Sequence, residues 1–340
     1  MGRSRSDLVV FVGNRLVQLI PVLFGVVAIT FFFTHIAVAN PCAIWSGPKA
    51  SPSTIAACVQ RNHFNQPLPV QFYYYIIGLL TGNWGTDPLF HTPVLPYILT
   101  TFPETLELVL TASALMIFVG IPLGVVAAAS NGRIADHLVR IFYLSGWATP
   151  TYIAGAILAI GIGTLIGDTG GAFSTPTSPV PQITHMSVID SIIALNGSAT
   201  LDALGHLILP AAALAFINMG IATRMTRTSM LEILPLDFVK TARMKGLGEF
   251  WVLYKHALRN AMITTTTVLG VTIGTMVSGT VVIESIFTWP GLGLYAYDAI
   301  TEYDFAGTIG VVIFFAIMVV VANLISDILY GILDPRVEWR

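Results

Sequence analysis

The stretch DFVKTARMKGLGEFWVLYKHALRNAM, residues 237–262, concentrates charge in a chain that otherwise carries little of it. Hydrophobic residues make up 55% of the sequence, charged residues 10%, and the mean hydropathy is +0.78. This composition is rare among soluble globular proteins and typical of integral membrane proteins. A basic, polar segment directly before an apolar run therefore predicts an element that lies at a membrane surface.

Apolar runs long enough to cross ~30 Å of hydrocarbon occur several times along the chain. Six spans are predicted, at residues 16–38, 104–129, 141–166, 206–223, 261–287 and 306–330. The first run is longer than the apolar core of a signal peptide and has no clear cleavage site, so we interpret it as a span. The expected fold is therefore an all-α integral membrane protein with six transmembrane helices.

The distribution of basic residues predicts the orientation. Of the sixteen Lys and Arg residues, all except Lys49 and Arg61 fall on one side of this six-span arrangement, the side that holds both termini. By the positive-inside bias that side is the cytoplasm. We therefore expect a multi-pass protein of the cell membrane with both termini cytoplasmic. The net charge of −2 gives no indication of a nucleic-acid partner.

Three regions follow from this topology. Residues 1–39 form the N-terminus and first helix, residues 40–103 an extracytoplasmic cap segment, and residues 104–340 a core with five helices that includes the cytoplasmic segment 224–260. The cap segment is rich in Pro, Gly, Asn and aromatic residues, which predicts short helices over the mouth of the bundle. Cys42 and Cys58 both fall there, and at an oxidising face they could either pair or remain free thiols. Residues 167–205 are rich in Gly, Ser, Thr and Pro and are expected to be mostly loop.

No motif for catalysis or cofactor binding is present in the sequence. The seven histidines are scattered without an i, i+4 pair, so no metal site is predicted. There is no Gly-x-Ser-x-Gly, no Cys-x-x-Cys and no phosphate-binding P-loop, so we expect no catalytic residue and no cofactor, and any ATP must be hydrolysed by another chain. Four carboxylates lie near the predicted spans, and a structural role at an interface is favoured over a proton relay for them: Glu104, Glu107, Glu284 and Asp327.

Within the opening stretch, the sequence predicts two short helices that meet at a corner. Residues 237–245 can form the first helix, and an apolar stripe at helical spacing predicts a second that leads into the fifth span. The stripe consists of Phe250, Leu253, Tyr254, Ala257 and Leu258. Gly246 and Gly248 separate the two helices, and a glycine permits the positive φ that turns a chain sharply. The sequence therefore predicts that the two helices form a corner that projects from the bundle.

This stretch resembles the cytoplasmic loop that permease subunits of binding-protein-dependent ABC importers insert into their ATPase partners. The family pattern is Glu-Ala-Ala, three residues, Gly, nine residues and Ile-x-Leu-Pro. Gly246 takes the glycine position, residues 240–242 take the Glu-Ala-Ala positions, and residues 256–259 replace Ile-x-Leu-Pro. The segments TARMKGL and HALRNA are similar to the form that this loop motif takes in the dipeptide and oligopeptide branch of the family. QPLPVQF, GNWG, PETLELVL, GIPLGVVAA, ESIFTWPGLG and DPRVEW resemble further segments of its B-type permease in the same order.

The resemblance implies a type I ABC importer permease fold and a set of functional residues. Those that would couple the chain to the ATPase are Lys240, Thr241, Ala242, Arg243, Lys245, Gly246, Leu247, Gly248, Glu249 and Phe250. Those that would dock the binding protein are Asn83, Trp84, Asp87, Trp289, Asp298 and Glu302. The implied partners are a second homologous permease, two ATP-binding subunits that hold ATP and Mg, an extracytoplasmic solute-binding protein, and membrane lipid.

Three alternatives remain open at this stage. The same class of transporter could carry oligosaccharides or nickel instead of peptides. A self-sufficient secondary transporter or channel would show intramembrane charge pairs or broken helices at matching positions of two halves, and neither is clear. An intramembrane enzyme would need a nucleophile, base or metal site within a span, and the sequence indicates none.

Overall fold

The computed structural model describes residues 5–37, 41–46, 50–87, 92–166, 170–173 and 180–333. The regular structure in these residues is helical, apart from an isolated bridge between Thr86 and Pro93. The first half contains α1 (Arg5–Ala37), α2 (Pro41–Trp45), α3 (Pro52–Arg61), α4 (Leu68–Leu80), α5 (Val94–Ala129), α6 (Ile134–Ala148), α7 (Thr151–Leu158) and α8 (Thr164–Ile166). The second half contains α9 (Ser187–Ile193), α10 (Gly197–Ile233), α11 (Asp237–Met244), α12 (Glu249–Trp251), α13 (Leu258–Gly279), α14 (Val281–Phe287), α15 (Leu292–Thr301) and α16 (Phe305–Leu333).

Four helical stretches of the described residues are long and apolar enough to cross a membrane. They are α5, α10, Glu249–Gly279 and Phe305–Ile325. The pair formed by α6 and α7 adds a fifth crossing if the two are counted together. Helix α1 contributes a shorter described apolar stretch, Ile20–Phe33. The prediction of an all-helical membrane fold is therefore confirmed, whereas the count of six crossings stays a prediction.

Helix α10 is the central element of the bundle. It packs along α5 and also contacts α6, α7, α9 and α13. Its 37 residues correspond to about 56 Å, well beyond the 18 residues predicted at 206–223 and beyond the ~30 Å of a hydrocarbon core. The hydropathy pattern detects only the apolar middle of the helix. The polar residues at both ends are also helical, because the backbone hydrogen bonds continue beyond the apolar segment.

The predicted continuous third span, residues 141–166, is wrong. Helices α6 and α7 are bent by 106° at a short break, and the second helix continues through the π-helical residues Ala159–Gly163. Proline explains the break, because Pro150 has no backbone N–H and disfavours helical geometry at the residue before it. Thr149 accordingly has φ −82° and ψ 123°, an extended conformation.

Close packing of α5 on α10 depends on the predicted small-residue pattern GIPLG. A Cβ atom on Gly124 would lie 2.6 Å from Thr226 Cβ and 2.8 Å from the carbonyl oxygen of Thr223. One turn earlier on α5, the Thr223 hydroxyl donates a hydrogen bond of 3.1 Å to the carbonyl oxygen of Gly120. These contacts are typical of membrane helices whose backbones approach closely at small residues.

The segment between α1 and α5 folds into the short helices α2, α3 and α4. Cys42 and Cys58 are joined by a disulfide with a Cα–Cα distance of 5.8 Å, which ties α2 to α3. The indole N–H of Trp45 donates to the carbonyl oxygen of Tyr303 at 2.9 Å, so this segment also contacts the corner before α16. The expectation that residues 167–205 are mostly loop needs correction, because α9 and the first two turns of α10 lie within that range.

Candidate functional site

The residues that follow α10 fold into the predicted corner. Helix α11 ends at Met244, and Gly246 then adopts φ +77°, the left-handed conformation that favours glycine. Gly248 has φ −59° and ψ 143°, a conformation that any residue can adopt. Of the two glycines, therefore, only Gly246 is required for the turn. Helix α12, the π-helical residues Val252–Ala257 and α13 follow as one continuous helical path into the bundle.

A bidentate ion pair joins the two sides of this corner. The guanidinium of Arg243 donates to the carboxylate of Glu249 through Nη2 at 2.7 Å and through Nε at 3.2 Å. Both side chains are about half exposed, at 43% and 57%. Solvent screening limits such a pair to ~1 kcal/mol or less. Its contribution is geometric, since the fork of two hydrogen bonds fixes the position of α12 relative to α11.

The inner side of the corner is buried against the bundle. Val239 and Ala242 of α11 and Val252 at the start of the π-helical turn are 0–5% exposed. They belong to a core cluster that also contains Val125 of α5 and Met230 of α10. The corner is therefore packed onto two long helices rather than hinged freely from them.

The outer side of the corner presents the predicted coupling residues to solvent. Ala242 is buried, and the exposed members are Lys240, Thr241, Arg243, Lys245, Gly246, Leu247, Gly248, Glu249 and Phe250. Sequence reasoning missed Phe238, Met244 and Trp251, which are 42%, 79% and 57% exposed. Several exposed apolar side chains around one projection are typical of a protein-binding surface.

The apolar stripe predicted for this region is correct only in part. Ala257 is buried and Leu253, Tyr254 and Leu258 are half-buried, but Phe250 is 64% exposed and Val252 is fully buried in its place. The π-helical turn at Val252–Ala257 is the reason, because its longer repeat shifts the buried face relative to a 3.6-residue helix.

A buried ion pair close to the corner was not predicted from the sequence. Asp136 is 0% exposed and accepts hydrogen bonds from Arg227 through Nε at 2.8 Å and through Nη2 at 3.0 Å. The backbone N–H of Gly132 donates to the same carboxylate at 3.0 Å, and Arg140 approaches it within 3.2 Å. This cluster fastens the turn between α5 and α6 to α10, one to two turns before α10 ends. An isolated acidic residue among basic residues in NGRIADHLVR was the available signal.

At the other end of the bundle, burial removes two residues from the predicted docking set. Trp289 is 0% exposed and Asp87 is 2% exposed, so neither side chain is accessible to a docked protein. The indole N–H of Trp289 instead donates to the carbonyl oxygen of Glu104 at 3.1 Å. Trp84 and Asp298 are half-buried, and Asn83 and Glu302 are exposed.

The motif ESIFTWPGLG forms a compact turn around a buried carboxylate. Glu284 accepts hydrogen bonds from the hydroxyl of Thr105 at 2.8 Å and from the backbone N–H groups of Gly293 and Leu294 at 2.7 and 3.0 Å. The carboxylate therefore caps the start of α15, where helix donors lack partners. Glu107 plays a similar part for α9, accepting from two of its backbone N–H groups. The side chain of Asp327 lies outside the described residues.

Asp304 occupies a buried position at the start of α16. Its Oδ2 atom accepts from the backbone N–H of Gly307 at 3.0 Å, as expected of a helix-capping residue. Burial raises the pKa of Asp304 to about 7, and the nearby charge of Asp87 adds to the rise, against the opposing effect of the Gly307 hydrogen bond. Among the residues that the structure describes, no group of three or more His, Cys, Asp or Glu side chains is placed to hold a metal ion.

These features together define a class of protein: a helical membrane permease with a packed, exposed corner at one end of its longest helices. The chain belongs to the family described as "binding-protein-dependent transport system inner membrane component", which matches residues 120–339. A second model, for the N-terminal part of the membrane component of the same systems, matches residues 8–109. The protein is therefore a permease subunit of an ABC importer.

Curated relatives match the chain over nearly its full length. It is 37% identical to the probable D,D-dipeptide transport system permease protein of Escherichia coli strain K12, over 94% of each chain. It is 35% identical to the dipeptide transport system permease protein of the same strain, over 97% of this chain and 99% of the relative. A chain of the methionine ABC transporter MetNI, solved in an inward-facing conformation, has a TM-score of 0.50 and 18% identity, and covers 68% of this chain and 93% of its own length. The likeness to this structure concerns the fold alone.

Proposed function

We propose that this chain forms, with a second homologous permease, the pathway of an importer for dipeptides or short oligopeptides. The chain crosses the membrane six times with both termini in the cytoplasm, and α1 and the bent pair of α6 and α7 supply the fifth and sixth crossings. The peptide substrate is supported by the dipeptide permeases that align over nearly the whole chain. A solute-binding protein outside the membrane delivers the peptide.

The exposed corner at Gly246 is the observation that carries the proposal. It connects α10 directly to α13, so a displacement of the corner reaches two long helices of the bundle at once. Two ATP-binding subunits, which hold ATP and Mg, dock on it and on the matching corner of the second permease. Binding and hydrolysis of ATP then move the corners and switch the pathway between outward and inward access.

The disulfide and the sparse basic residues support the proposed orientation. Disulfides persist in oxidising compartments, and Cys42 and Cys58 lie in the same segment as Lys49 and Arg61. Both observations support a position of α2, α3 and α4 outside the cytoplasm. Of the predicted docking residues, Asn83 and Glu302 are exposed and Trp84 and Asp298 are half-buried, and we assign contact with the binding protein to these four.

The test uses Gly246→Trp in the full-length tagged chain, expressed in its native host. No described atom lies within 4 Å of a Cβ placed on Gly246, so the substitution causes no clash at that atom, although the positive φ strains the corner for any residue other than glycine. We expect normal membrane insertion, loss of ATPase subunits in affinity purification, and loss of peptide uptake. Gly132→Trp is the matched control, because Gly132 also has positive φ (+75°) and open space but lies in the turn between α5 and α6. Normal ATPase copurification and uptake with Gly246→Trp would refute the coupling role.

The rival classes give different outcomes in the same preparation. A secondary transporter or channel would move solute in liposomes as the purified chain alone. Its expected signature, broken helices at matching positions of two halves, is not found: the described residues contain a single bent helix pair. Oligosaccharide or nickel as substrate would be revealed by the binding protein that copurifies and by competition of uptake with sugar or metal rather than peptide.

A further inference from the structure

The polar and apolar faces of helix α9 are inverted relative to those of a helix in water. Its buried face carries three polar residues beside Val188, and these are Ser187, Asp190 and Ser191, at 0–7% exposure. Its exposed face consists of Ile189, Ile192 and Ile193, at 40%, 54% and 47% exposure. Their spacing of i, i+3 and i+4 places the three isoleucines on one side of the helix. A helix in water buries such a face, so this one needs an apolar partner.

Charges along α10 indicate where its apolar layer begins and ends. Between Asp202 and Arg224 the helix has no Asp, Glu, Lys or Arg. This charge-free stretch, residues 203–223, corresponds to ~32 Å of helix, close to the ~30 Å of a hydrocarbon core. We therefore place residues 203–223 in the hydrocarbon, with residue 203 at the edge nearer to α9.

The contacts between α5 and α10 set the level of α5 along this stretch. A Cβ on Gly124 would lie 2.6 Å from Thr226 Cβ, and a Cβ on Gly120 would lie 3.1 Å from Ala222 Cβ. The two helices are therefore parallel, with an offset of 102 residues at both contacts. By this offset Glu107 of α5 is level with residue 209 of α10, about 9 Å inside the edge at residue 203.

Two buried carboxylates hold the residues around the start of α9 at this level. Glu107 accepts hydrogen bonds from the backbone N–H groups of Val188 and Ile189, both at 3.2 Å. Asp190 accepts from the backbone N–H groups of residues 183, 184 and 185 at 3.1, 2.8 and 3.1 Å. Irregular backbone is tolerated at membrane depth only where its polar groups are satisfied within the protein. These hydrogen bonds meet that requirement for the residues that precede α9.

The composition of the exposed face favours lipid over another protein as its partner. Contacts between membrane helices are enriched in small residues, as at Gly120 and Gly124 between α5 and α10. The exposed face of α9 instead consists of three large aliphatic side chains without a small or polar residue. Isoleucine is among the residues that enter hydrocarbon most favourably.

We propose that residues 183–195 form a re-entrant segment, which enters the bilayer from the side where α10 begins and places its isoleucines against the acyl chains of that leaflet. Part of the predicted outer loop 167–205 then lies inside the membrane, beyond the reach of a binding protein in the aqueous space. Only the naming of this leaflet as the outer one rests on the orientation in the proposed function.

The test measures the accessibility of spin labels on single-cysteine variants of the full-length chain in nanodiscs. Cys42 and Cys58 are the only cysteines of the chain and are joined to each other, so without reductant the label reacts with an introduced cysteine alone. Ile189→Cys and Ile192→Cys report on the exposed face of α9. Ser198→Cys is the matched control, because Ser198 is exposed in the first turn of α10 and lies outside the charge-free stretch.

Electron paramagnetic resonance compares collisions of each label with oxygen, which dissolves in hydrocarbon, and with a polar nickel chelate, which does not. We expect the ratio of oxygen to nickel accessibility at Ile189 and Ile192 to exceed that at Ser198 by roughly fivefold or more, because hydrocarbon excludes the polar chelate. The ratio should stay high both in the chain alone and in the intact assembly purified from the native host.

Other outcomes overturn the proposal. A ratio at the isoleucine positions equal to that at Ser198 shows that α9 faces water. A high ratio in the chain alone that is lost in the intact assembly shows that another protein, such as a second permease, covers the face. Ile193→Cys replaces either variant if its Tm departs from that of the wild type. The measurement requires neither transport nor docking of an ATPase, so its failure is distinguishable from failure of the importer proposal.

Discussion

Replacement of Asp136 by Asn should destabilise the protein by about 2–3 kcal/mol. The carboxylate is 0% exposed and is held by both donors of Arg227, which is itself only 17% exposed. Breaking a buried pair from one side typically costs ~3–5 kcal/mol because the other charge is left uncompensated. We expect a smaller loss, about 2–3 kcal/mol, for two reasons. Asn keeps one acceptor oxygen for Arg227, and Arg140, the second cation near Asp136, is 35% exposed to water.

Thermal unfolding of the purified chain in mild detergent, followed by tryptophan fluorescence, measures this loss as a fall of the Tm by several degrees. Asp237→Asn is the matched control. Asp237 pairs with Lys240 at 3.0 Å but is 96% exposed, so its removal should change stability by less than ~0.5 kcal/mol. If the two variants lose the same stability, the Asp136 cluster is not the anchor between α10 and the α5–α6 turn that its geometry indicates.

Three further predictions follow from single positions. Gly246→Ala should weaken the corner by about 1 kcal/mol, seen as faster hydrogen exchange of residues 237–250, whereas Gly248→Ala should leave exchange unchanged because its φ is −59°. Gly124→Ala should lower the Tm, because the added Cβ would clash with α10. Gly205→Ala is its control: Gly205 also lies inside a helix, but no described atom is within 4 Å of an added Cβ, so the better helix propensity of Ala should raise the Tm slightly. The pKa of Asp304, about 7 in the fold against an ordinary 3.8, means that the folded state binds the proton more tightly than the unfolded state. Stability from this residue is therefore present at low pH and lost as the pH rises through 7. Other buried carboxylates such as Glu104 also affect the pH dependence of stability, so the expected result is a difference: wild type should lose about 2–3 kcal/mol more than Asp304→Asn between pH 5 and pH 8. Equal pH profiles of the two proteins would contradict the assignment.

The sequence predicted the corner at Gly246 well because the signals there are local. Two short helices separated by glycine, with basic residues on both sides, leave few alternatives for the backbone, and the resemblance to a known loop located it further. The ends of the helices were predicted less well. Hydropathy detects the apolar middle of α10 but not the polar turns that extend it, and averaging over residues 141–166 hid the effect of Pro150.

The predicted docking residues show a different limit. Trp289 and Asp87 are polar or amphipathic residues in predicted outer loops, which made them candidates for a surface role. Their burial arises from contacts between distant parts of the chain, such as the hydrogen bond from Trp289 to Glu104. The pairing of Asp136 with Arg227, 91 residues apart, was hidden for the same reason. Such contacts depend on how α5, α10 and the turns around them come together, and no single segment encodes them.

The length of α10 gives the protein a lever. A rod of about 56 Å that tilts by ~5° displaces one end relative to the other by ~5 Å, close to the pitch of one helical turn. A small angular change at the corner around Gly246 would therefore open or close a gap of atomic size at the opposite end of α10 without any local refolding. The rod has one position without a backbone donor, Pro210, which is buried against neighbouring helices together with Leu209 and Ala211. The stiffness of the lever is thus set by the packing around its middle rather than by its own hydrogen bonds alone.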